Sequence, residues 1–282
     1  MNAIKKIRKY YNEKKRFNYF LKHLTNLEIK DNLNRLSERP HKSILRILGN
    51  GNSLNEMLDS FSDEDDIDYM VVNRHVLSDS YIQLKPNYYV LADPHFFTNS
   101  EGISILEKIK EKTTWQLEIF LPYSKENKRK FFDFFQENTF ITLTFYNMNE
   151  YYGPEEHRQF AYDHNLAMPS AQNVLVPSIY VGICINYNNI ELFGVEHNWT
   201  KYLFVNDNND VCLEDIHFYD KDKINYRVMK KATGSLFKIH EALNMYARMF
   251  QSYWELQEIA KQKEISIINY TPNSFIDAFN RK

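Results

Sequence analysis

From Pro40 to its carboxyl terminus the chain alternates short apolar runs with stretches of helical periodicity, a pattern that few architectures satisfy. The runs Ile44–Leu48, Tyr69–Val72, Tyr88–Ala92, Leu117–Leu121, Phe140–Phe145, Ile190–Phe193 and Ile265–Asn269 are short, apolar and bounded by turn residues, so they read as strands. Between them Leu54–Phe61, Ile103–Lys112, Lys125–Gln136, Val174–Asn186 and Leu236–Lys263 carry helical spacing. Strands alternating with helices imply a Rossmann-like α/β fold, a mostly parallel sheet with helices on both faces. Two segments interrupt the alternation. Tyr151–Ala171 is polar and rich in His and Tyr, and Trp199–Thr233 is charged and contains Asn206-Asp207-Asn208-Asn209-Asp210. Both read as insertions, and the second, about 199–233, as a lid.

The division expected is an amino-terminal helical segment over 1–40 and an α/β domain over 41–282. In the first segment Ile4, Ile7, Tyr11, Phe17, Leu21, Leu24 and Leu27 follow helical spacing, while Met1–Leu24 holds eight Lys/Arg against the single Glu13. Such a basic amphipathic helix suits an anionic membrane surface as well as a place on the domain edge. Over the whole chain 35 basic residues face 37 acidic ones, so no global field favours nucleic acid. Cys184 and Cys212 stand alone, without metal-ligand spacing, and suit a reducing compartment. The basic start lacks the apolar core of a signal peptide, and no run approaches the roughly 20 apolar residues of a membrane span. A cytoplasmic protein, peripheral at the inner face of the cell membrane, is expected.

The junction after the first strand, Gly49-Asn50-Gly51-Asn52-Ser53-Leu54, is the clearest candidate for ligand binding. Glycines let backbone approach a phosphate, and a helix amino terminus presents amides and a positive dipole end to it. A dinucleotide fingerprint would need glycine at Leu54 and an acid where Asn73 stands, and a P-loop would need Gly-Lys-Ser/Thr. Neither is present. The next strand ends bring Asn73-Arg74-His75 and Asp93-Pro94-His95, so Asn50, Asn73 and Asp93 are expected around one crevice, where open α/β sheets bind ligands. The run Asp63-Glu64-Asp65-Asp66 reads as a solvated loop, and no metal or cofactor site is expected.

Taken together, these motifs resemble the bacterial sialyltransferases that use a cytidine-monophosphate-activated sugar, with the MptE-like and polysaccharide-locus proteins of similar fold. Gly49–Leu54 resembles that family's first-strand loop, Val72-Asn73-Arg74 its second strand end, and Asp93-Pro94-His95-Phe96-Phe97 its Asn-Pro-Ser-type stretch. Tyr187–Glu196 resembles the passage into its Gly-Ile-Asp-type motif, and Pro272-Asn273-Ser274 its carboxyl-terminal Pro-Asn-Ser. The resemblance implies a GT-A-like single-domain glycosyltransferase that inverts, needs no metal, and contacts its donor through Gly49, Asn50, Gly51, Asn52, Ser53, Asn73, Asp93, Asn173, Gly194 and Glu196. Three positions depart from the pattern. Asp93 stands for an amide; the family's phosphate-binding tyrosines fall at Asn198 and Phe204, leaving Tyr202, Trp199 or His197 to substitute; and Asn173-Val174-Leu175 replaces a Thr-Ser-Gly turn.

Sugar transfer to a hydroxyl needs a base near neutral pKa, which histidine supplies without large perturbation. Of nine histidines, His240 begins the last long helix shortly after the Thr233-Gly234-Ser235 turn, and the family's catalytic histidine also comes ahead of its last helix before Pro-Asn-Ser, with the spacing longer here. His197 follows the strand end Phe193-Gly194-Val195-Glu196, and His157 and His164 lie on the polar insertion. The stripe Leu243, Tyr246, Phe250, Tyr253, Trp254 and Leu256 reads as core packing of that helix. The expected activity is transfer of a sialic-acid-like sugar from a nucleotide sugar to a surface glycan or lipid-linked acceptor, by a monomer or a homo-oligomer. Two alternatives stand beside it: a Mg-dependent pyrophosphokinase-type phosphotransferase with Asp93, Glu196 and Asp215 as ligands, and a non-catalytic nucleotide- or glycan-binding partner in polysaccharide assembly.

Overall fold

The computed structural model describes residues 3–24, 27–30, 32–59, 61, 65–93, 96, 98–215, 225–231 and 233–282. Asp63 and Glu64 of the acidic run, with Pro94, His95 and Phe97, lie outside the described residues. The main sheet has eight strands, all paired in parallel: β1 Ile44–Leu48, β2 Ile67–Val72, β3 Tyr88–Val90, β4 Leu117–Pro122, β5 Ile141–Tyr146, β6 Asn189–Phe193, β10 Ser266–Asn269 and β11 Asn280–Arg281. Their order is β11-β10-β6-β1-β2-β3-β4-β5. The chain therefore builds outward from β1 in one direction through β5, then returns to the other side of β1.

Side-chain alternation along the strands divides the core in two. Leu45, Ile47, Met70, Phe120 and Leu192 face α6 Glu155–Asp163, α7 Leu175–Ile185 and α8 Ile239–Gln262. Leu48, Val71, Ile119 and Leu121 face α2 Leu54–Leu58, α3 Ser80–Leu84, α4 Ser100–Lys112 and α5 Lys125–Phe135. The apolar α7 is buried nearly all round because it lies between sheet and α8. A helix between parallel strands runs against them, so the amino termini of α7 and α8 lie at the strands' carboxyl ends. Helix α1, Ala3–His23, packs Phe17 against Tyr151, His157 and Phe160, with Phe20, Leu21 and Leu24 beside the same core.

The two interrupting segments have regular structure. Part of the polar stretch is α6, which buries only Ala161 and Tyr162 of its own length, too little apolar surface for its periodicity to show in sequence. The expected lid region opens with a 3-10 turn, Trp199–Tyr202, and forms a three-stranded antiparallel sheet of β7 Leu203–Val205, β8 Val211–Asp215 and β9 Asn225–Val228. Its first hairpin turns on Asn206, whose Oδ1 accepts from Asn208 N and Asp210 N, and on Asn209 at φ 62°. Among the described residues no helix is long and apolar enough to cross a membrane.

Candidate active site

The reversal of strand order sets the site. Connections leave β1 and β6 in opposite directions, and the gap between them at the strands' carboxyl ends is where open α/β sheets bind ligands. Here the two exit loops are tied together. Gly49 N donates to Phe193 O (2.8 Å), Gly51 N to Gly194 O (2.9 Å) and Ser53 N to Glu196 Oε1 (2.7 Å). A Cβ at Gly49 would press on the Gly194 carbonyl and lie 2.8 Å from Val195 Cγ1, and one at Gly51 would overlap the Glu196 carboxylate. The two glycines therefore serve close approach of loop to loop. Three amides that the sequence suggests for phosphate binding hold the neighbouring loop in this conformation, and Glu196 takes the place of an anion at the start of α2. Ser53 Oγ is buried without a partner among the described residues.

A third strand exit clamps the second. After β10, Thr271 Oγ1 accepts from Val195 N (3.1 Å), Ser274 Oγ donates to Val195 O (2.7 Å) and Phe275 N donates to Glu196 O (2.7 Å), with Asn273 in the left-handed region at φ 53°. The Pro272-Asn273-Ser274 turn thus fixes the backbone that carries Glu196 and His197. On the other side, Asn50 Nδ2 donates to Val72 O (3.2 Å), and Asn73, at φ 44°, accepts from Ala92 N through Oδ1 (3.2 Å). Arg74 pairs with Glu101 at 2.7 Å. Asp93 is half-buried at the third strand end and Asn52 is exposed. His75, by contrast, is buried against Ser80 Oγ (3.0 Å), and desolvation pushes its imidazole pKa down to about 4.

His197 ends a hydrogen-bonded chain that runs from the start of α7 to the β6 exit. Its backbone is left-handed at φ 48°, and Trp199 stacks on its ring with centroids 4.5 Å apart; Tyr246 of α8 continues the stack at 6.3 Å from Trp199. His197 Nδ1 lies 2.7 Å from the hydroxyl of fully buried Tyr253, which also accepts from Asn173 Nδ2 (2.8 Å). Asn173 caps α7 by accepting from Leu175 N (2.9 Å) and Val176 N (3.3 Å) through Oδ1. Desolvation pushes His197 down to about 3, so the ring is neutral at physiological pH. Tyr202, half-buried, ends the 3-10 turn that begins at Trp199.

Gly49, Asn50, Gly51, Asn52, Ser53, Asn73, Asp93, Asn173, Gly194, Glu196, His197, Trp199 and Tyr202 thus all lie on or beside strand exits and helix starts at one end of the sheet. His240 stands apart from them. It is exposed on the first turn of α8, about 20 Å along the helix axis from Tyr253 at 1.5 Å per residue. His157 lies on α6, stacked on Phe17 with centroids 4.4 Å apart, and His164 ends α6 against Phe160 at 4.4 Å. Asp215 ends β8, and among the described residues no three His, Cys, Asp or Glu side chains gather as a metal site would. Sequence reading missed Tyr253 and Thr271. Tyr253 belongs to an aromatic stripe, and nothing in such a stripe marks which hydroxyl meets a partner 56 positions away.

No protein-family model matches the chain, and no curated protein matches it. Among solved structures, it is similar to the sialyltransferase CstII from Campylobacter jejuni in complex with a substrate analogue, cytidine-5′-monophosphate, at 16% identity and a TM-score of 0.46 over 86% of each chain. A second is the sialyltransferase CST-II in complex with trisaccharide acceptor and CMP, at 14% identity and a TM-score of 0.44 over 84% of this chain and 85% of that one. Likeness of this degree assigns neither residues nor chemistry to this chain.

Proposed function

We propose that this protein is a glycosyltransferase that moves a sialic-acid-like sugar from a CMP-activated donor onto a hydroxyl of a cell-surface glycan or lipid-linked acceptor, with inversion and without a metal. The observation that carries this reading is the set of groups gathered at the β1/β6 reversal, where a neutral imidazole with Nε2 unpartnered among the described residues, an indole stacked on it and the side chains of Asn50 and Asn73 stand at the strand exits. Uncharged donors and a flat ring suit a nucleoside and its phosphate. The motif resemblance, from Gly49–Leu54 to Pro272-Asn273-Ser274, supplies the cytidine nucleotide and the sugar class.

In this reading the bond from the anomeric carbon to phosphate oxygen breaks with its electron pair leaving on CMP. The acceptor oxygen bonds the anomeric carbon from the opposite face, and its proton passes to a base. His197 stands on the donor side. His240, projecting on α8 beyond the strand ends, is the acceptor-side candidate, and the β7-β8-β9 segment is the lid. The exposed face of α1, with Lys5, Arg8, Lys9, Lys14, Lys15 and Arg16 beside Tyr10, Tyr11 and Tyr19, suits the anionic inner face of a membrane, where such an acceptor would be met.

The test is a binding panel of CMP, CDP, UDP, GDP and ATP with and without Mg²⁺, read by thermal shift, since a bound ligand raises stability with the logarithm of its excess over Kd. Preference for CMP without Mg²⁺ supports the reading, and Mg-dependent ATP binding replaces it with phosphotransfer. With a turned-over donor in hand, His240→Ala should cost on the order of 10²-fold in kcat with donor affinity unchanged, as removal of a general base does. Wild-type turnover by a folded His240→Ala protein excludes it as the base.

A further inference from the structure

The order of donors in the chain that ends at His197 fixes where its proton sits. Asn173 Oδ1 accepts two backbone amides, so the amide group facing Tyr253 is the NH2, which can only donate. Tyr253 oxygen accepts that hydrogen, and its own proton has a single acceptor within reach among the described residues, His197 Nδ1 at 2.7 Å. Burial holds the phenol pKa above its ordinary value, so the proton stays on the tyrosine. Nδ1 is therefore the acceptor, and the one hydrogen of the neutral ring is on Nε2, which has no partner among the described residues. A second proton on the ring would set an Nδ1–H against the tyrosine hydrogen, so the relay and desolvation both keep the ring neutral.

We propose that Asn173 and Tyr253 are positioning residues that hold His197 in its Nε2–H form, making it a neutral donor to the leaving phosphate and not a base. The identity of the phosphate rests on the nucleotide-sugar reading, whereas the tautomer does not. Glu196 gives the donor a purpose. Its carboxylate covers the amide of Ser53, so a phosphate meets a negative charge on the glycine-loop side and needs a donor on the other. A neutral N–H hydrogen-bonds the oxygen on which charge develops and keeps its proton throughout.

The test uses the full chain with 15N-labelled histidine. Imidazole nitrogen spectra identify the protonated nitrogen, and the His197 signals are those lost in His197→Gln. Wild type should show Nε2 protonated and Nδ1 as a hydrogen-bonded acceptor. Asn173→Asp still offers an oxygen to cap α7 but turns the group facing Tyr253 into an acceptor, so the phenol O–H should turn to donate to Asp and the His197 hydrogen should sit on Nδ1, donating to the phenol oxygen. Tyr253→Phe, which adds no charge, should remove the Nδ1 hydrogen bond. Titration of CMP against cytidine supplies the functional readout: both variants should lose roughly 10-fold in CMP affinity, the worth of about one hydrogen bond, with cytidine affinity unchanged. His197→Gln, which retains an N–H near Nε2, should bind CMP more tightly than His197→Ala. An Nδ1–H signal in wild type, or a tautomer unmoved in Asn173→Asp, overturns the relay. Unchanged CMP affinity in both variants despite altered spectra overturns its role in binding. If wild type binds neither CMP nor cytidine, the nucleotide reading and the proposed donor role fall, while the spectra still decide the tautomer.

Discussion

Each end of the sheet carries a network built around a buried tyrosine, and the two networks terminate differently. At the amino end the Tyr187 hydroxyl lies 2.5 Å from Asp68 Oδ2 and 3.0 Å from the Tyr88 hydroxyl, and Lys42 N donates to the same carboxylate oxygen at 3.0 Å. That network closes on itself, since a carboxylate absorbs every hydrogen offered and Asp68 is buried near the start of β2, opposite Leu45 of β1. At the carboxyl end the chain through Asn173 and Tyr253 reaches an imidazole whose far nitrogen has no partner among the described residues. Closed networks hold a fold together. One that ends on a ring nitrogen at the strand exits offers that nitrogen to a ligand, as proposed above.

Four changes test that contrast, from the largest effect to the smallest. Gly49→Val places side-chain atoms against the Gly194 carbonyl and Val195, which backbone cannot relieve, and should lower stability by about 3 kcal/mol with loss of CMP binding. Urea unfolding reads the first effect and calorimetry the second. Asp68→Ala, at the closed end, should cost about 1.5–3 kcal/mol, the range for hydrogen bonds to a charged group, yet leave CMP affinity as it was. Weakened CMP binding there would erase the distinction between the two ends.

The third change concerns pH. His197 titrates near 3 when folded and near 6.5 when free, so the unfolded chain takes up the proton first. Its contribution to stability is whole above about 6.5 and is lost as pH falls from there toward 3, by about 1.4 kcal/mol per pH unit at most. Unfolding of His197→Gln between pH 7 and 5 should therefore show a shallower loss than wild type. His75, held near 4 by burial alone, should behave alike on replacement without touching CMP binding. The smallest effect is on α1: Lys5→Glu with Lys9→Glu should change stability by less than about 0.5 kcal/mol, both sites being exposed, but reduce co-sedimentation with anionic vesicles. Equal sedimentation would remove the membrane surface from the reading.

The parts legible in sequence were those whose burial leaves a continuous pattern. Ile44–Leu48 and Leu117–Leu121 are covered on both faces, so nearly every side chain is apolar and the strand stands out between turn residues. The polar α6 and the five-residue α3, whose Ile82 is exposed, bury too little to reveal a period. The small sheet β7-β8-β9 was hidden by its strands' length and the charged composition around them. At the site, chain order and strand ends suffice to bring Gly49, Asn73 and Glu196 to one edge. They do not reveal that Glu196 covers the Ser53 amide or that Tyr253 meets His197, because both depend on side-chain placement across loops far apart in sequence.

The most direct measurement is a crystal structure of the protein soaked with CMP in the absence of divalent metal. The expected result places the nucleotide in the crevice between the β1 and β6 exits, with a phosphate oxygen about 3 Å from His197 Nε2, at ordinary hydrogen-bond length, and His197 Nδ1 still on Tyr253. CMP bound elsewhere on the molecule, or phosphate seated on the Gly51 and Ser53 amides with His197 untouched, would contradict it.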